Sequence, residues 1–240
     1  MGASSRLPVA AFDCGGASGR QDNIESAIRE LRATLAPSNE SHGVASGSVD
    51  ALMRGQYDYP DGINFGGSHQ EWSNSTFRAI LAEHVASARH VALIDWHTGI
   101  GAAMQAVPLA FYGPTTRSAQ ALTAWLGLDV TQFAGHFPGG ETPAFTGILS
   151  AAIPSLLSQA ITYAVVVEFG TKPNADVLEA LMIDRWLKFG PGPDTALARR
   201  LKAGMLECFS PNDAKWRASV IQLARRFVSG MVTGLANEAN

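Results

Sequence analysis

The chain has 240 residues, of which 46% are hydrophobic and 16% charged, and a formal net charge of −3. That is the balance of a globular protein with a sizeable core, one domain or at most two, and it argues against a disordered chain. The mild acidity offers no electrostatic footprint for nucleic acid or for an anionic membrane. Two cysteines, Cys14 and Cys208, are too few for a disulfide framework and fit a reducing compartment. The N-terminus shows no basic stretch followed by an apolar run, and no uninterrupted apolar segment reaches spanning length. A cytoplasmic location is expected.

Residues 1–21 are rich in Gly, Ala and Ser. Their DCGGASGR stretch (13–20) lacks the Lys-Ser/Thr of a phosphate-binding loop and reads as a loose terminus. A helix is predicted from Asp22, with Glu25 as capping-box partner, Ile24, Ile28, Leu31 and Leu35 as its apolar stripe and Pro37 as its stop. A polar Ser/Gly-rich loop follows over 38–50. Residues 55–74, GQYDYPDGINFGGSHQEWSN, form a long irregular segment, and long loops in compact domains tend to be functional. The next helix is predicted to be capped by Asn74 or Ser75, with Phe77, Ile80, Leu81, Val85 and Ala88 on its inner face. His84 and His90 share neither a face nor a ligand spacing, and read as surface or packing residues.

The centre of the chain is VALIDWHTGIG, 91–101. Five of the six residues Val91–Trp96 are apolar and glycines follow, the pattern of a strand buried on both faces that delivers a histidine to a loop. Period-two alternation puts Asp95 and His97 on one side and Trp96 on the other. A carboxylate and an imidazole at the C-terminal end of a core strand sit where open α/β sheets place ligands; a histidine satisfied by its neighbours is the plainer alternative. Further on, VPLAFYG (107–113) is a short apolar run. A helix is predicted over 116–125, capped by Thr115 or Thr116 and stopped at Gly127. Residues 129–143, with His136 and Glu141, read as a turn-rich loop. A helix over roughly 144–159 must accommodate Pro154 by a kink or a late start. TYAVVVEFGT (162–171) is a second core strand, with Glu168 at its end, where an ionised carboxylate is costly unless paired. Three helices close the chain, over about 174–188 (capped near Asn174), 195–208 (capped by Asp194) and 213–235. The last carries Trp216, Val220, Leu223, Phe227, Met231 and Leu235 on one side.

GQYDYPDGINFGG, WSNSTFRAIL, IDWHTGIG, VVVEFGT and DVLEALMIDRWL, in this order over roughly 45–235, resemble the zinc-carboxypeptidase superfamily. The resemblance is closest to a branch near the succinylglutamate desuccinylase and aspartoacylase type of deacylases, and covers the C-terminal two thirds of that fold. It implies an α/β protein, a three-layer α/β/α sandwich with a mixed sheet of the zinc-exopeptidase kind, lacking the N-terminal part of the sheet. Residues 1–44 would be a divergent segment and 45–240 the partial catalytic domain. By the same resemblance His97 matches a zinc ligand and Glu168 the general base that activates the metal-bound water; Asp95, on chemical grounds, is a candidate to orient His97 or another ligand from behind. The implied function is Zn2+-dependent hydrolysis of amide bonds in a small-molecule or peptide substrate. No His-x-x-Glu, the family's first ligand pair, occurs in the 240 residues. His69 with Glu71, or His136, would have to stand in. The alternative is a truncated, inactive homologue that acts, if at all, as a binding protein. A sheet without its first strands leaves an unpaired edge, so self-association is expected.

Overall fold

The computed structural model describes residues 55–62, 64–127, 147–189 and 196–238. These fall into two compact units. One holds the described part of residues 1–67 and 173–209; the other holds the described part of 68–142, 146–172 and 210–240. The expected helix at 22–37, the loops at 38–50 and 129–143 and the Asp194 cap lie outside the described residues.

The second unit contains the sheet. Strands β1 (His90–Thr98), β2 (Ala106–Leu109) and β3 (Ile161–Phe169) form a mixed three-stranded sheet in the order β1-β3-β2. β1 and β3 run parallel, with His90 opposite Ile161 and His97 opposite Glu168; β2 returns antiparallel on the other side of β3. β3 is therefore the central strand, and every residue from Thr162 to Phe169 is buried. The expectation that β1 would be buried on both faces is corrected. Among the described residues it pairs only on its β3 side, most of its residues are half-buried, and Trp96 is 42% exposed. Pro108, which cannot donate to a ladder, is tolerated because β2 is the opposite edge strand.

Period-two alternation splits β3 between two apolar clusters. Tyr163, Val165, Val167 and Phe169 meet Leu122 and Leu126 of helix α2 (Arg117–Leu126), as well as Trp216, Phe227 and Met231 of α6 (Ala214–Glu238). Ala164, on the other face, meets Leu81 of α1 (Trp72–His84) and Ile153 of α3 (Leu149–Leu156), with Val91 and Leu157. The helix ends follow local chemistry. Thr116 caps α2 by accepting from the Ala119 amide, and Gly127 stops it at φ 66°. Asp213 Oδ1 accepts from the Lys215 and Trp216 amides at the start of α6. Helix α1 departs from its predicted cap. It already begins at Trp72 with no side-chain cap, and Asn74 Oδ1 instead accepts from Gln70 and Arg78 along the helix surface. Ile80, assigned to its inner face, is 47% exposed. Pro154 is not spared by a late start: it is the sixth residue of the helix, lacks the N–H for a bond back to Ser150, and the helix ends two residues beyond it.

The first unit carries α4 (Asn174–Phe189) and α5 (Ala196–Phe209), which pack on one another; Leu178, Ala180 and Trp186 of α4 and Ala198 of α5 are buried. Buried Cys208 directs its thiol at the Asp176 carbonyl, 3.8 Å away. The irregular 55–67 stretch is organised around Gln56. Its Oε1 accepts from the Asp58 and Tyr59 amides, its Nε2 donates to Tyr59 O, and its backbone bridges to Phe65.

At the N-terminal end of the sheet, fully buried Tyr163 donates to Glu238 Oε2 at 3.2 Å, and Glu238 is also paired with Arg117. Burial and Glu238 raise the Tyr163 phenol above its ordinary value. The end of α6 is thus fastened to the sheet and to the start of α2. Between these helices the approach is close. A Cβ on Gly234 would lie 2.1–2.4 Å from Trp125 ring atoms, whereas one on Gly204, in α5, would meet nothing within 4 Å. Gly234→Ala should therefore cost about 1–3 kcal/mol through overpacking. Gly204→Ala should stabilise by about 0.5–1 kcal/mol through helix propensity. Denaturant unfolding of the two variants measures both.

Candidate functional site

The parallel register of β1 and β3 builds the site. His97 and Glu168 are opposite one another near the C-terminal ends of neighbouring strands, so their side chains leave the same face side by side. Asp95, two residues before His97, shares that face. Its Oδ1 lies 3.0 Å from His97 Nε2, and His97 Nδ1 lies 3.6 Å from Glu168 Oε1. The structure thus brings together the three residues singled out in the sequence, Asp95, His97 and Glu168. His97 stands within the strand itself, and its side chain is about half exposed.

The environments differ sharply. Glu168 is only 7% exposed, while its β2 neighbour Val107 is 3% exposed and walls off one side. Burial pushes the Glu168 carboxyl up to about 7; the charge of His97 and the Ile100 amide pull it back down, and the charge of Asp95 adds to the rise. Glu168 Oε2 is buried without a hydrogen-bond partner, a costly condition for a carboxylate oxygen unless something else meets it.

This geometry bears on whether a metal fits. A histidine whose Nε2–H donates to Asp95 turns the lone pair of Nδ1 toward Glu168, as metal-ligating histidines held by a carboxylate do. Nδ1 and Oε1 then face one another as two electron-rich atoms 3.6 Å apart, too far for a direct hydrogen bond. A shared proton or a cation relieves that arrangement, and a neutral imidazole is a ligand zinc accepts. His97 and Glu168 therefore fit as two residues facing one metal. Among the described residues no group of three or more His, Cys, Asp and Glu is arranged to hold a metal ion. His69 and Glu71, the stand-in pair, form an exposed contact of 4.0 Å between themselves and do not join the cluster. His136 lies outside the described residues. His84 is exposed beside Glu83, and His90 stacks on Tyr163, so both are surface or packing residues as expected.

Sequence reasoning missed the frame around the carboxylate. The Ile100 amide and the Val107 wall come from the loop and short strand that follow His97, and neither residue type signals a role. Trp216, read as core, also spends its indole N–H on the Gly170 carbonyl, at 2.8 Å. The glycine directly after Phe169 is the only sequence sign of that contact.

The fold and this cluster define an α/β protein with an imidazole held between two carboxylates at the end of a parallel strand pair. The family described as "Protein of unknown function (DUF2817)" matches residues 20–223, and the chain belongs to it. Neither the curated proteins nor the solved structures gave a match. No helix among the described residues is long and apolar enough to cross a membrane.

The pKa of Glu168 predicts a stability signature. A carboxyl raised from 4.5 to about 7 on folding contributes stability that is present below about pH 4.5 and lost as pH rises through 7. In chelator-treated protein, Glu168→Gln should be more stable than wild type by on the order of 1–3 kcal/mol at pH 8. That advantage should shrink as the pH falls toward 5. Urea unfolding at the two pH values checks it; an advantage equal at both would contradict a buried, reluctant carboxylate.

Proposed function

We propose that this chain is a zinc-dependent hydrolase of amide bonds, carboxypeptidase- or deacylase-like, acting on a small-molecule or peptide substrate in the cytoplasm. The observation that carries the reading is the paired register of His97 and Glu168, with Asp95 holding the far side of the imidazole. We place the sheet unit in the three-layer α/β/α class of zinc exopeptidases, with part of the sheet absent. Apolar clusters on both faces of β3 support this, as does a β1 edge that has no strand partner among the described residues. Such an edge also supports self-association.

His97 would hold the metal through Nδ1, with Asp95 fixing its tautomer and ring orientation. Bound there, zinc would acidify a water and polarise the scissile carbonyl. Glu168 supplies the proton handling. A carboxyl near 7 accepts a proton and gives it up with little cost at neutral pH, so it can take one from the attacking water and return it to the leaving amine. Val107 and the buried setting keep bulk water from competing at Oε1.

A second reading, an inactive homologue that binds a partner, is favoured by the lack of a three-ligand group among the described residues. Zinc content separates the two. An active hydrolase predicts close to one zinc per chain by elemental mass spectrometry, lost in His97→Ala and retained in Glu168→Gln. In Glu168→Gln, hydrolysis of N-acyl amino acids or short peptides should fall about 10²- to 10⁴-fold. A wild-type chain that stays zinc-free after reconstitution selects the inactive reading.

A further inference from the structure

The segment that follows His97 is fastened at both ends and in the middle. Gly99 N–H donates to the Phe169 carbonyl at 3.0 Å, Gln105 N–H to Ala102 at 3.0 Å, and Gly170 N–H to Gln105 at 2.9 Å. Helix α6 adds two ties from its first turns. Trp216 Nε1 donates to the Gly170 carbonyl at 2.8 Å in a buried contact, and Ser219 Oγ donates to the Met104 carbonyl at 3.0 Å. Steric fit leaves no slack: a Cβ on Gly170 would stand 2.0 Å from Ala102 O, and one on Gly101 would stand 2.7 Å from Val107 Cγ2. Three backbone positions hold left-handed angles, Gly99 at φ 127°, Gly101 at φ 101° and Met104 at φ 64°. For a residue with a side chain such as Met104 that conformation costs free energy and persists only when surrounding contacts impose it. The Ser219 bond to its own carbonyl is such a contact.

Residues 99–105 therefore form a clamped strap, set between His97, two residues upstream, and the end of β3 that carries Glu168. The strap presents the Ile100 amide to the Glu168 carboxylate. We infer that Trp216 is a positioning residue for this site: by gripping Gly170 it locks the 99–105 strap, and the strap holds His97 and Glu168 in their facing geometry. This rests on the metal-site reading above. It adds that the site is preorganised by the last helix and that the glycine-rich stretch after His97 is not a lid. The grip is directional, since the indole N–H is a donor only and is aimed at Gly170 O from a packed ring.

Trp216→Phe keeps an aromatic body in the core and removes that one donor. Met231→Ala, fifteen residues further along α6 and in the same apolar cluster, serves as a destabilised control. Two measurements on the full chain decide the matter: amide hydrogen exchange across residues 99–105, and zinc affinity by competition with a chromophoric chelator. In Trp216→Phe, strap exchange should rise at least tenfold and zinc binding should weaken about tenfold; Met231→Ala, even with an equal loss of melting temperature, should change neither. Unaltered strap exchange in Trp216→Phe, or the same change in Met231→Ala, overturns the inference. If strap exchange rises only in Trp216→Phe but zinc affinity holds, the strap is locked yet does not position the site, which also overturns it. A wild type that binds no zinc removes the proposed function. The positioning claim then fails with it, whereas the exchange data still report separately whether Trp216 locks the strap.

Discussion

One ladder governs this structure, the parallel pairing of β1 with β3. Its register sets His97 beside Glu168, and the period of two in β1 sets Asp95 beside His97. No loop has to close and no domain has to move for the three to meet. Because the pairing is parallel, the two strands share a C-terminal end, and the helices α2 and α3 lie between them in sequence. The position of the cluster is thus a consequence of topology, with its backbone spacing set by hydrogen bonds over nine paired residues and its far end held by the strap after His97. A slip of one residue would turn Glu168 to the opposite face, into the apolar cluster that holds Val167 and Phe169. Burial of alternate β3 residues on both faces resists that slip, because each face is already filled.

Much of this was legible from residue order. The β-branched run in 162–168 has no polar face, which forces a fully covered strand, and the apolar stripe from Trp216 to Leu235 is the cover on one side. Thr116 and Gly127 mark the ends of α2 as their cap chemistry requires. Asp95 and His97 follow from strand alternation alone. What failed to show were features set by long-range neighbours. β1 has the same apolar composition as a central strand, but composition does not say on how many sides a strand is paired, and β1 is half-buried where β3 is sealed. The start of α1 was misplaced because Asn74, a good cap residue, is engaged along the helix surface by Gln70 and Arg78. The elevated proton affinity of Glu168 arises first from burial, which Val107 completes on one side, and then from the charge of Asp95; the Ile100 amide opposes it, and burial of this kind is not written in any single residue type.

The chemistry of the cluster rests on unequal shielding of two carboxylates. Asp95 is bound directly to the imidazole and is about one-fifth exposed, whereas Glu168 is sealed apart from its contact with His97. One carboxylate anchors and the other is reluctant to hold charge. Placing an imidazole between two such groups divides its nitrogens by role, and that division, more than the identity of the three residues, is what makes the site suited to proton transfer beside a cation. It also makes the site a local burden on the fold, with an unpartnered carboxylate oxygen at the end of its best-buried strand.

Helix α6 comes last among the described elements, yet it supplies Trp216, Phe227 and Met231 to the core, the grip on Gly170 and the Glu238 tie to Tyr163 and Arg117. This has a consequence for a chain made from its N-terminus. Until α6 has left the ribosome, one apolar face of β3 has only α2 as cover, and the segment after His97 lacks its ties to Trp216 and Ser219. The nascent sheet must wait in a sticky state, with Tyr163, Val165 and Val167 open to other chains, and that interval is where chaperone capture or co-translational aggregation would act on this protein. Slow decoding ahead of codon 214 would prolong the exposure, and fast decoding through α6 would end it.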